Sequence, residues 1–228
     1  MGAKRVAVVG ATGMVGGLAL RTALDDARVG RVTAVVRRST GVTHAKLVEI
    51  VHADFLDFAT VLDAFADQDV ALFCVGAYTG QVPDEEFRKI TVDCAAAFAK
   101  ALFAKSPGAT VSFLSGQGAD PTEKSSMSFA RYKGAAEKLL LATGFARVHI
   151  FRPGYIYPVT PRVEPNFSYR LFRGLYPALR VVYPNVGIAS DALAWAMLEA
   201  ALEGTGEHTE PVLENRDIRA LAARRQPA

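Results

Sequence analysis

Cysteine is scarce: the 228 residues hold two, Cys74 and Cys94, without a CxxC spacing. A disulfide framework and a cysteine zinc site therefore have no basis, and both thiols are expected in the interior. Histidine is nearly as sparse, and His44, His52, His149 and His208 are too dispersed for a metal cluster, so no metal is expected. Excess charge is missing too. With 26 basic against 23 acidic residues the formal charge is only +3, and the basic residues are scattered apart from Arg219, Arg224 and Arg225. That excludes the basic stripe a nucleic-acid partner needs. No apolar run approaches a membrane span, so no membrane partner is expected. The first strand is expected from about Lys4, leaving no room for a signal or transit peptide, and the expected location is cytoplasmic.

What is present is a chain rich enough in apolar residues, at 50%, to bury a large core. No 20–50-residue repeat and no linker divides it, so one domain over 1–228 is expected. Short β-rich runs at Arg5 to Val9, Val32 to Val36, Leu47 to Val51, Val70 to Val75, Thr110 to Leu114 and Val148 to Phe151 read as strands. Helical stretches alternate with them at Met14 to Leu24, Phe58 to Ala66, Glu85 to Lys105, Phe129 to Thr143 and Asp191 to Leu202. The alternation predicts an α/β fold of Rossmann type: a doubly wound parallel sheet with helices on both faces. The proline-rich stretch over 152–186 breaks the pattern and reads as a small C-terminal insertion beside the substrate pocket, over the strand ends where ligands bind. The end of the chain from Arg219 reads as a helix end and a frayed tail.

The segment Gly10-Ala11-Thr12-Gly13-Met14-Val15-Gly16 places glycines at GxxGxxG spacing between the first strand and its helix. This spacing permits a tight turn, close approach of backbone to a pyrophosphate and close helix packing, with free N–H groups aimed at the phosphates. The same triplet also serves a plain tight connection. Arg37 and Arg38 follow the second strand, where an NAD-selective site would carry Asp or Glu for the ribose 2′-OH. Guanidinium groups there suit the 2′-phosphate of NADP(H), unless they are simply solvated at a strand end. Asp54, with Phe55 beside it, follows the third strand where an adenine amino group would lie, or else caps a loop. Gly76 ends the fourth strand, either letting backbone pass close to a cofactor or making a turn.

Several segments in order resemble the atypical branch of the short-chain dehydrogenase/reductases, NADPH-binding proteins related to the Tat-interacting tumour suppressor oxidoreductase. They are GATGMVGG at 10–17, VVRR at 35–38, Phe73-Cys74-Val75-Gly76, Val92-Asp93, FLSGQGAD at 113–120, KGAAE at 133–137 and FRPG at 151–154. The resemblance implies a Ser and a YxxxK pair, with Tyr moving the proton and Lys lowering its pKa and holding the nicotinamide ribose. Lys133 fits, and Ser115 stands where the catalytic Ser would lie. Four residues before Lys133, however, is Phe129. Phenylalanine moves no proton. Tyr132 replaces it only if the helix register shifts, since neighbours at i and i+1 face different ways; otherwise it is a surface aromatic. The resemblance also places the backbone after Pro153, with Gly154 and Tyr155, against the nicotinamide carboxamide.

Beyond that point Tyr155, Tyr157, Phe167, Tyr169, Phe172, Tyr176 and Tyr183 form an aromatic-rich stretch, either pocket wall or local core. Two functions from different classes follow. One is an NADPH-dependent oxidoreductase for a small carbonyl or conjugated substrate, apolar or aromatic, that lacks the usual catalytic Tyr. The other is a non-catalytic NADPH-binding regulator, redox sensor or assembly factor. The partner is in either case a small molecule, and the chain is expected to be a monomer or a homodimer.

Overall fold

Val6 and Val8 enter one hydrophobic core while Ala7 and Val9 enter another, so the first strand is buried on both faces. Side chains alternate along a strand, and a strand that is apolar throughout is therefore central to a sheet covered by helices on both sides. The computed structural model describes residues 2–77, 80–160, 174, 176 and 182–225.

In chain order the elements are β1 (Lys4–Val9), α1 (Met14–Asp25), β2 (Val29–Val36), β3 (Leu47–Val51), a 3-10 segment (Ala59–Phe65), β4 (Val70–Phe73), α2 (Asp84–Arg88), a π turn (Lys89–Asp93) and α3 (Cys94–Lys105). Next come β5 (Thr110–Leu114), α4 (Ser128–Ala142), β6 (Arg147–Arg152), β7 (Tyr155–Tyr157), a short 3-10 turn (Pro184–Val186), β8 (Gly187–Ala189), α5 (Ser190–Glu203), β9 (Val212–Glu214) and α6 (Asn215–Ala222). Seven strands make one sheet in the order β3-β2-β1-β4-β5-β6-β9, each neighbouring pair parallel. The order reverses between β1 and β4, which is the switch point where such sheets bind ligands beyond the strand ends.

One core packs α1 and α5 against the sheet through Ala19, Leu20, Leu193 and Met197. The other packs α3 and α4 through Phe98, Leu102, Ala136 and Leu140. In the second core the Phe98 ring lies 4.7 Å from Phe73, which lies 5.8 Å from Phe113. Each fully buried ring is worth about 1.5–3 kcal/mol of transfer free energy. These cores hold the strand ends still, and the cleft described below is built on those ends.

The predicted strands and long helices are present with shifts of one to three residues at their ends. Two elements differ in kind and three are additional. The expected helix at 58–66 is a 3-10 segment that leaves helical geometry at Val61, where the edge contact of Phe58 with Phe65 at 5.2 Å fixes a tighter connection. The expected helix at 85–105 is interrupted by the π turn, whose added residue re-aims the apolar side chains: Phe87 faces Tyr132 while Phe98 enters the core. β7, β8 and β9 were not expected, since three residues are too few to show a period. β7, inside the 152–186 stretch, pairs with β8 immediately after that stretch in a small second sheet. Phe167, Tyr169 and Phe172 lie outside the described residues.

Candidate active site

The glycine turn is shaped by contacts that no side chain would fit. Gly10 has φ +91°, and a Cβ there would stand 2.8 Å from the Cys74 carbonyl carbon. A Cβ on Gly16 would stand 2.1 Å from the Gly10 carbonyl oxygen. Gly13 N–H donates to that same oxygen at 2.9 Å, closing the turn. Gly13 is the N-cap of α1 and supplies no side-chain cap, so the first-turn N–H groups of the helix remain available to an anionic ligand. The residues present therefore fit a pyrophosphate at this turn.

Two clefts meet at the turn, and Thr12, Gly13 and Met14 line both. The first, about 740 Å³, runs over the ends of β4, β5 and β6 between Val15, Gly76, Ser115, Phe129, Lys133 and Tyr155. Pro153 and Gly154 line it as well. The second, about 480 Å³, lies between Gly17, Arg21, Arg38 and Thr40. The two strand-end arginines part company. Arg38 lines the second cleft, while the Arg37 charge acts on the Cys94 thiol at the start of α3, together with that of Asp54. Successive residues leaving a strand point to opposite faces, which separates them.

Asp54 Oδ1 accepts the Leu56 N–H at 2.8 Å, the local loop-capping arrangement, and its neighbour Phe55 is buried in the α3 and α4 core. The Phe55 side chain therefore belongs to the core and lines neither cleft. The expected site residues that converge are the glycine turn, Arg38, Gly76, Ser115, Lys133, Pro153, Gly154 and Tyr155.

α4 brings Lys133 and Glu137 to one face, one turn apart. Lys133 is buried, its Nζ donating to the Leu114 carbonyl at 2.8 Å and standing 5.2 Å from the Phe113 ring centroid. Burial pushes its pKa down to about 8, against the opposing charge of Glu137. Burial likewise pushes the Cys74 thiol up to about 12, so it stays protonated. Ser115 Oγ donates to Glu137 Oε1. Arg152 grips the same carboxylate with Nε at 2.9 Å and Nη2 at 2.5 Å, and reaches Glu214 with Nη1 at 3.1 Å. The hydroxyl expected to orient a substrate is thus tethered to a buried ion pair. Two further bonds lace the strand ends: Ser115 N–H to the Phe151 carbonyl at 2.8 Å and Gln117 N–H to the Pro153 carbonyl at 2.9 Å.

Phe129 does occupy the cleft, and its ring tip lies 2.5 Å from where a Cβ on Gly116 would be. Tyr132 does not. Its hydroxyl donates to Asp84 Oδ2 at 2.5 Å and its ring faces Phe87, on the side of α4 turned to α2. The helix keeps its register through this region, so the expectation that Tyr132 supplies the missing hydroxyl is corrected.

Three positions were missed as site residues. Glu137 and Arg152 stood inside recognised motifs, but the pairing of helix with strand is a tertiary fact. Asn215 gave no signal: its Oδ1 accepts the Gly154 N–H at 2.9 Å and its Nδ2 donates to the Asn185 carbonyl at 3.0 Å, fixing the cleft floor.

A profile described as NAD(P)H-binding matches residues 10–165. Curated relatives include Protein fmp52, mitochondrial, from Aspergillus clavatus, 33% identical over 156 residues, and its namesake from Emericella nidulans, 32% identical over 158. In both, the alignment spans 66% of this chain and 66% of the relative. Those names overturn the cytoplasmic expectation, which had rested on a strand pattern that carries a fold and no address. Among solved structures, a short-chain dehydrogenase/reductase from Saccharomyces cerevisiae covers 96% of this chain and 98% of its own at TM-score 0.64 and 16% identity. An oxidoreductase of the short-chain dehydrogenase/reductase family from Burkholderia thailandensis covers 89% and 87% at TM-score 0.63 and 17% identity. At such identities the likeness is one of fold.

Proposed function

The chain belongs to the NAD(P)H-binding family, and from that premise we propose that it is an oxidoreductase that takes NADPH and reduces a small apolar or aromatic carbonyl or conjugated compound. One observation carries the reading: the glycine turn stands between two clefts, one ending at Arg38 and the other at Lys133. A dinucleotide laid across the turn would be held at its pyrophosphate by the α1 N-terminus, at its adenosine 2′-phosphate by Arg38 and at its nicotinamide end by the residues around Lys133. When bound, the reduced nicotinamide supplies the hydride.

The remaining work falls to the chain. Arg38 and the open end of α1 bind phosphate, with Arg37 and Asp54 flanking the adenine end. The Pro153 to Tyr155 backbone orients the carboxamide. Phe129 and the Tyr155 ring exclude water from the substrate side. The name of those relatives supports placing the protein in mitochondria.

A second reading, an NADPH-binding protein without turnover, is favoured by Phe129 alone, which leaves the usual proton-handling position without a hydroxyl. Titration of NADPH and NADH by fluorescence, followed by reductase assays on quinones, aromatic aldehydes and flavin-like acceptors, separates the two. NADPH-specific binding with turnover supports the oxidoreductase. Tight NADPH binding without turnover of any acceptor supports the second reading, and equal binding of NADH defeats the assignment of Arg38.

A further inference from the structure

The usual proton-handling position in the cleft is held by Phe129, and the side chains that line the cleft narrow the choice of donor. Phe129 has no exchangeable proton, and Tyr132 is bound to Asp84 away from the cleft. Ser115 spends its proton on Glu137, which Arg152 holds as an ion pair. Cys74 is a buried thiol held far above neutrality. Tyr155 turns its ring to the cleft while its hydroxyl oxygen is buried. Thr12 and Gln117 do not ionise in water's working range. Lys133 is different. Among the described residues its ammonium donates one hydrogen bond, to the Leu114 carbonyl, and it stands between the ends of β4 and β5, 4.0 Å from where a Cβ on Gly76 would be.

We propose that Lys133 is itself the general acid of the reduction, doing directly what the missing tyrosine does elsewhere. The inference rests on the NADPH-oxidoreductase reading. In the step, the substrate carbonyl carbon gains a hydride from NADPH and its oxygen gains a proton from Lys133 Nζ. One N–H bond breaks, one O–H bond forms, and the neutral amine then regains a proton from water. The sum is carbonyl compound plus NADPH plus H⁺ giving alcohol plus NADP⁺. The groups that face this ammonium are Glu137 on its own helix, Cys74 after β4, and the Leu114 carbonyl on β5, with the Phe113 ring beneath it. Burial leaves an acid that gives up its proton near pH 8, close to the optimum for transfer at neutral pH.

Two measurements test it. Competitive labelling of the lysines of the cofactor-free protein with trace acetic anhydride, read peptide by peptide from pH 6 to 11, is expected to show Lys133 titrating near 8, below a free lysine model peptide labelled alongside at ~10.4. A Lys133 midpoint above 10 would overturn the proposal without any assay of turnover. The second is the pH profile of kcat with NADPH and an aromatic aldehyde. It is expected to be flat below about pH 8 and to fall tenfold per unit above it. Lys133→Met is expected to lower kcat by roughly 10²–10⁴-fold. Lys133→Arg keeps the positive charge but cannot release a proton, so it too is expected to be slow, with the alkaline fall gone. Arg-variant turnover at the wild-type rate with NADPH still bound overturns Lys133 as acid and leaves the oxidoreductase reading standing. Absence of NADPH binding in the wild type defeats that reading instead, and NADPH binding without turnover overturns both. Thermal melts of both variants check that either one folds.

Discussion

Arg38 shares its cleft with Gly13, Gly17 and Arg21, so a charge placed there meets the glycine turn rather than open solvent. A charge-assisted hydrogen bond to phosphate is worth about 1.5–3 kcal/mol. Arg38→Ala is therefore expected to weaken NADPH binding about ten- to a hundredfold and to leave NADH binding nearly unchanged, by parallel fluorescence titrations. Arg37→Ala, on the Cys94 side, is expected to narrow the preference much less. The turn itself allows no compromise. A methyl on Gly16 would press 2.1 Å from the Gly10 oxygen, so Gly16→Ala must open the turn. Loss of both NADPH and NADH binding, with a lowered melting temperature, is the expected result. A variant that still binds either nucleotide as well as wild type would show that the turn does not carry the pyrophosphate.

At the scale of the element, α4 acts as a rack. Gly134 lets it lie against the Asp120 carbonyl, where a Cβ would come within 1.9 Å. From that position Lys133 reaches Leu114 while Glu137 reaches Ser115 and Arg152. Glu137 is 1% exposed, so removing it leaves the half-buried Arg152 guanidinium of β6 with Glu214 as its remaining carboxylate. Breaking one side of such a pair costs about 3–5 kcal/mol. Glu137→Ala is expected to unfold at lower denaturant by that amount, whereas Glu137→Gln, which keeps a hydrogen-bonding oxygen, loses less. Equal stability of the two would mean the charge pairing contributes nothing. Much of this rack was legible in the sequence. The helix came from its period, and Lys133 and Ser115 came from motif resemblance. The partner of Glu137 did not, because Arg152 lies 15 residues away on a strand and only the packing of α4 over β5 and β6 joins them. Tyr132 misled for the opposite reason: spacing gives a face only relative to the helix axis, and Asp84 on a separate helix decides where the hydroxyl goes.

For the whole molecule, the strand order and the two-sided core follow from residues such as Val6 to Val9, whose unbroken apolar run admits only a covered central strand. Three-residue strands such as β9 carry too little pattern to be read that way, yet β9 closes the sheet edge beside β6. On that strand β6 lies His149, 4% exposed against α5. Burial, with the nearby Arg147 and His208 charges adding to it and the Ala200 backbone opposing, pushes its pKa down to about 4. A histidine lowered from about 6.5 is neutral in the folded protein and protonated in the unfolded chain across the interval between. Its contribution to stability is complete above pH 6.5 and is lost as pH falls through about 4, by about 3 kcal/mol at most. Urea melts from pH 7 to 4 are expected to show this acid limb. In His149→Leu, which packs without titrating, the slope between pH 6.5 and 4 is expected to flatten while any loss from carboxylates below pH 4 persists. An unchanged slope in that variant would show that His149 is not the source of the acid sensitivity.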